Sequence, residues 1–171
     1  MRPTLLNSCA RAATAAEARY RIDAAPQTAR STRVVALDSG AAAVVLPLPE
    51  LPWRNARFLR YQAESGHPGG ELADLALVGS AGETARLSQE LAQADFVLMI
   101  ATSDEGAVAA AAIGNACTLR GIMTAGLVLG ESAGGAGAAN GAVTALRPHA
   151  RVLLVSRDQR DASGLLTALG A

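Results

Sequence analysis

The stretch that most constrains the fold is DFVLMIA at residues 95–101. After Asp95 it is continuously apolar, with none of the alternation that a strand with one wet face would show. A short run of this kind reads as a central strand of a parallel sheet, covered on both faces. IMTAGLVL (122–129) repeats the pattern, and ARVLLVS (150–156) follows. Between them, residues 104–118 are rich in alanine and small residues, which predicts a helix packed closely from all sides. Strand, helix, strand, helix and strand in that order define a parallel sheet with right-handed crossovers. The expected class is therefore α/β: three layers around a doubly wound, mostly parallel, Rossmann-like sheet.

The rest of the chain fits that frame. RVVAL (33–37) predicts a strand and DSG (38–40) a turn, with a short helix from 41 that Pro47, Pro49 and Pro52 end. RFLRY (57–61) and LADLALVG (72–79) predict two more strands. Residues 81–94 read as an amphipathic helix, with Ala85, Leu87, Leu91 and Ala94 inward and Glu83, Arg86, Gln89 and Glu90 outward. Residues 158–170 read as a final helix. Ahead of this unit, residues 1–32 form an expected helical or flexible extension, with helix propensity at 10–22. The expected organisation is that extension and one α/β domain over 33–171.

Composition excludes several function classes. The 171 residues carry 15 basic and 15 acidic groups, so no net field draws nucleic acid or an anionic membrane. Every basic residue is an arginine. Without lysine there is no Schiff-base chemistry and no standard Walker A loop. Cys9 and Cys117 lie too far apart for a metal or disulfide framework, and a reducing cytoplasm is expected. No apolar run reaches the roughly 18 residues of a membrane span. Aromatics make up only 3 % of the chain. A core of small side chains makes self-association, as a homo-oligomer, an expected partnership.

Two turns match the capping box S/T-x-x-E: Thr102-Ser-Asp-Glu105 and Ser80-Ala-Gly-Glu83. Each such cap is worth about 1 kcal/mol. Both turns are also expected at the carboxyl edge of the sheet, where open α/β folds bind ligands. The ligand-binding candidates are therefore Ser39, Gly40, Ser80, Gly82, Thr102, Ser103, Asp104, Gly106 and Asp158. Asp104 and Glu105 would repel a phosphate at the helix start and could instead hold Mg²⁺ or a cationic or hydroxyl-bearing ligand. No third carboxylate is placed beside them, so no metal site is assigned. Residues 134–141 (GGAGAANG) come close to G-x-G-x-x-G, with the last glycine one position late, so NAD or FAD is an alternative ligand. His67 and His149 have no nucleophile or acid at a recognisable spacing, and no catalytic residue is assigned. Arg147, Arg151, Arg157 and Arg160 fall on different faces, which argues against a nucleic-acid patch.

Three stretches carry a resemblance. RVVALDSGAAAVV (33–45), ADFVLMIATSDEGAVAAAAIGNACTLRGIMTAGLVL (94–129) and ARVLLVSRDQRDASGLL (150–166) are similar, in order and apolar pattern, to the GTPase domain of the FtsZ/tubulin family. The resemblance implies a first glycine-rich turn at Asp38-Ser39-Gly40 and a phosphate loop at Thr102–Gly106. It also implies a nucleotide-facing pair at Arg157-Asp158. In that family the loop is a run of glycines with a threonine, and an asparagine–aspartate pair precedes the last helix. Here one loop glycine remains and two acids have entered. A second domain, which completes hydrolysis in the family, is not expected before Ala171. GTP hydrolysis by the family mechanism is thus not expected. The resulting expectation is a non-catalytic module that binds a small ligand or self-assembles, requiring no identified cofactor. A magnesium-dependent nucleotide-binding enzyme or sensor is the alternative.

Overall fold

The computed structural model describes residues 30–62, 75–130, 140–169 and 171. Their strands are β1 (Thr32–Ala36), β2 (Ala56–Tyr61), β3 (Ala76–Gly79), β4 (Thr84–Arg86), β5 (Phe96–Ala101), β6 (Met123–Leu129) and β7 (Val152–Ser156). The α-helices among them are α1 (Ser39–Val45), α2 (Leu87–Ala92), α3 (Ala107–Arg120), α4 (Asn140–Leu146) and α5 (Arg160–Leu169). One sheet runs in the order β4-β3-β2-β1-β5-β6-β7. β2, β1, β5, β6 and β7 are parallel, and β3 and β4 join antiparallel at one edge.

Every residue of β5 is buried, as its unbroken apolar run requires. Leu98 and Ile100 point to one face, Val97 and Met99 to the other, all at 0 % exposure. On the first face they meet α1 and α5 through Ala41, Val44, Val45, Ala162 and Leu166. On the second they meet α2, α3 and α4 through Leu91, Ile113, Cys117 and Leu146. Helices on both faces make the fold three-layered, as expected, and a fully buried side chain of this size contributes about 1.5–3 kcal/mol. Small residues let α3 sit close to the sheet: Ala109, Ala110, Ala116 and Cys117 all face the core. The helix ends in a Schellman arrangement, with Gly121 at φ 68° and the Ile122 N–H returning to the Cys117 carbonyl at 2.9 Å.

The order reverses between β1 and β5. From β1 the chain moves outward to β2, then crosses back to place β5 on the other side of β1. In open α/β sheets such a reversal leaves a crevice at the carboxyl ends of the strands, where ligands settle.

The amphipathic helix expected over 81–94 is corrected. Its first half is the β3–β4 hairpin, and helix begins only at Leu87. Residues 80–82 form a three-residue loop, with the Gly79 N–H bonded to the Glu83 carbonyl at 2.8 Å. Gly82 takes φ 86°, the left-handed position such a loop demands. Ala85 and Leu87 are buried because they lie two apart along an extended segment, not because they share a helical face. Glu90, expected outward, is 7 % exposed and ion-paired to Arg33 (Nε–Oε2 2.8 Å). The residues of 1–29, His67 and the glycine-rich stretch 131–139 lie outside the described residues.

Candidate functional site

At the carboxyl end of β1, Asp38 begins α1. Its Oδ1 accepts from the Ala41 N–H at 2.8 Å, an ordinary helix cap. The same carboxylate also reaches across to the end of β5. Oδ1 accepts from the Thr102 hydroxyl at 2.6 Å, and Oδ2 accepts from the Thr102 N–H at 2.7 Å and the Ser103 N–H at 3.0 Å. β1 and β5 pair in register from Thr32↔Phe96 to Ala36↔Ile100, which brings the two turns side by side. One side chain thereby caps a helix and ties the two strand ends at the order reversal.

Burial pushes the Asp38 carboxyl up. The Thr102 hydroxyl and the N–H groups of Ala41, Thr102 and Ser103 together outweigh it and hold the group below its ordinary 3.8. Asp38 is therefore a buried anion at neutral pH, held by dipoles rather than by a cation.

Two of the three candidate glycines, Gly40 and Gly106, approach the protein instead of a ligand. A Cβ on Gly40 would lie 2.1 Å from the Thr102 Oγ1. One on Gly106 would lie 2.5 Å from the Leu37 Cβ and 2.6 Å from its carbonyl oxygen. Each is glycine because two strand ends and two helix starts crowd together here.

The capping box at Thr102–Glu105 is corrected in detail. Thr102 spends both donors on Asp38, and Ser103 is the residue that caps, its Oγ accepting from the Glu105 N–H at 3.4 Å. A 3-10 turn over Asp104–Gly106 then leads into α3. Asp104 turns sideways, and its Oδ1 accepts from the Ala142 N–H of α4 at 3.0 Å. Asp158 accepts from the Arg160 N–H at 2.9 Å and opens α5. The adjoining Ser156 hydroxyl donates to Asp161. So the starts of α1, α4 and α5 are each met by a carboxylate of the chain itself.

Ser80 and Gly82 do not belong to this edge. β3 runs antiparallel to β2, with Leu59↔Gly79 and Tyr61↔Leu77, so the loop after β3 falls at the amino end of the parallel strands. The Glu83 contact to Arg57 on the first half of β2 (3.2 Å) fixes it there. Ser39, Gly40, Thr102, Ser103, Asp104 and Gly106 are brought together around Asp38. Asp158 stands farther along the same edge, after β7.

Asp38 itself was the residue missed as a site. Its signal was present, since Asp immediately before SGAAAVV is a helix N-cap signature. Arg60 was missed as well. It lines a cleft of about 500 Å³ with Ser39, Tyr61, Gln62 and Glu105, between the ends of β1 and β2. Among the described residues, no three His, Cys, Asp or Glu side chains converge as a metal-binding set. No helix among them is long and apolar enough to cross a membrane. His149 packs against Gly114 of α3 and its carbonyl accepts from the Thr124 hydroxyl, which accounts for it locally.

Compared with protein-family models, with curated proteins and with solved structures, the chain matches none of them.

Proposed function

We propose that this chain is a non-catalytic α/β module, FtsZ/tubulin-like in layout, that binds a small ligand at the carboxyl edge of its sheet or assembles with copies of itself. Its phosphate position is filled by its own carboxylate. The observation that carries this reading is the pair of bonds from the Thr102 and Ser103 N–H groups to Asp38 Oδ2. In a phosphate loop those backbone donors face the nucleotide. Here they are occupied by a buried negative charge, and a phosphate entering the turn would meet Asp38, Asp104 and Glu105 together.

Thermal unfolding with GTP, GDP, ATP and NAD, each with and without Mg²⁺, tests it. A ligand at 100 times its dissociation constant stabilises by about 2.7 kcal/mol, a midpoint shift of several degrees. The expected result is no shift with any nucleotide. A magnesium-dependent shift with GTP, lost in Asp104→Ala, would replace this reading with that of a nucleotide-binding enzyme or sensor. A shift with NAD alone would favour a dinucleotide site at the glycine-rich sequence 130–141.

A further inference from the structure

We propose that the cleft between the carboxyl ends of β1 and β2 binds a small zwitterion, a molecule of amino-acid size carrying both a carboxylate and an ammonium group. The inference rests on the small-ligand reading above and names the ligand class. The cleft's volume of about 500 Å³ lies within the range of small-molecule sites. It opens beside the order reversal, next to the turn that Asp38 closes.

Its charges select the ligand. Arg60 stands on β2 opposite Ala36 of β1, and Glu105 stands in the turn after β5. Both line the cleft and both are exposed. They do not pair with each other, and neither side chain has an ion-pair or hydrogen-bond partner among the described residues. That sets Glu105 apart from the other acids of this edge. Asp38, Asp104, Asp158 and Asp161 each spend oxygens on N–H or hydroxyl donors of the protein. A simple anion would be drawn to Arg60 and repelled by Asp38 and Glu105. A simple cation would meet the reverse. A molecule with both signs places its carboxylate on the planar guanidinium fork, the group best shaped for it, and its ammonium on Glu105. Ser39 and Gln62, which also line the cleft, carry hydroxyl and amide groups for the remainder of the molecule. A nucleoside triphosphate carries too much negative charge for the same walls.

The test is thermal unfolding of the full chain with the twenty common amino acids one at a time, at about 10 mM, an excess that makes even weak binding visible. Sodium acetate and methylammonium chloride, each carrying one of the two groups, are the controls. The expected result is a rise of several degrees with at least one amino acid and none with either control. Arg60→Gln and Glu105→Gln, both exposed and free to fold, should each weaken the fitted affinity at least tenfold. The proposal is overturned by silence across all twenty, by an equal shift with acetate, or by a shift that both variants leave unchanged. GTP with magnesium in the same series separates the two readings. A GTP shift would sink the non-catalytic reading, while silent amino acids alone would sink only the zwitterion.

Discussion

Arg33 and Asp38 sit at the two ends of β1, and both are nearly fully buried, at 6 % and 7 % exposure. They solve the cost of a buried charge differently. Arg33, at the amino end, meets a charge of the opposite sign: its Nε donates to Glu90 Oε2 at 2.8 Å, and Arg57 approaches the other Glu90 oxygen at 3.3 Å. Its Nη1 donates to the Ser31 hydroxyl and its Nη2 to the Gln93 carbonyl. Asp38, at the carboxyl end, meets no cation among the described residues. Three backbone N–H groups and one hydroxyl hold it. The difference follows from the polarity of a parallel sheet. At the carboxyl ends the chain turns into helix starts, which present unpaired N–H groups. At the amino end of β1 the buried charge is a guanidinium, which N–H groups cannot satisfy, so the Glu90 carboxylate supplies the counter-charge. The amino end is locked by an ion pair, and the carboxyl end is a ready anion site that the chain has filled itself.

The largest expected effect breaks the amino end. Arg33→Met leaves Glu90 buried with only the half-exposed Arg57 nearby, and removing one partner of a buried pair costs about 3–5 kcal/mol. Urea unfolding should show the loss. The double variant Arg33→Met, Glu90→Leu removes both charges and should recover most of it. A single variant within about 0.5 kcal/mol of the parent would mean that this end is not locked by the pair.

Next is Asp38→Ala, expected to cost about 2–3 kcal/mol because it strands several donors at once. Here the two ends should diverge in kind. Formate at about 0.1 M should raise the unfolding midpoint of Asp38→Ala by re-occupying the vacated N–H groups, and should do nothing comparable for Arg33→Met. Sodium chloride at the same concentration controls for ionic strength. Equal rescue of both variants would erase the distinction between a filled anion site and an ion-pair lock.

Acid sharpens the same point. The folded-state carboxyl of Asp38 lies below its ordinary 3.8, so its contribution to stability is fully present above that value. It is lost as pH falls through the lower folded-state value. Unfolding midpoints measured from pH 6 downward should therefore fall less steeply below about pH 4 in Asp38→Asn than in the parent. Identical profiles would show that Asp38 titrates alike in folded and unfolded chains.

What could be read before the structure divides along the same line. The parallel strands β5 and β6 were legible because double burial writes a continuous apolar run into a single segment. The helix cap by Asp38 was equally local. Its bonds to Thr102 and Ser103 were not, because they depend on the β1–β5 register across 64 residues or more. Arg33–Glu90, separated by 57 positions, left no local trace. The β3–β4 hairpin was misread because Ser80-Ala-Gly-Glu83 satisfies a capping box and a glycine-bearing hairpin loop equally well. Ala85–Leu87, spaced by two, overlaps Leu87–Leu91, spaced by four, so strand and helix periods ran together. That error moved Ser80 and Gly82 to the wrong edge of the sheet.

The smallest effect lies at Asp104. It offers the same chemistry as Asp38, a carboxylate on a helix start, but it is exposed and, among the described residues, accepts one N–H, that of Ala142. Water can replace it there, so Asp104→Ala should cost about 1 kcal/mol, the ordinary value of a lost cap. α4 is only 7 residues long, so the loss should be local and should appear as faster amide exchange over Asn140–Leu146 while the sheet stays protected. A loss as large as that of Asp38→Ala would make the two acids one cooperative anion cluster. A loss near 1 kcal/mol keeps burial, rather than the presence of a carboxylate at a helix start, as the property that makes Asp38 structural.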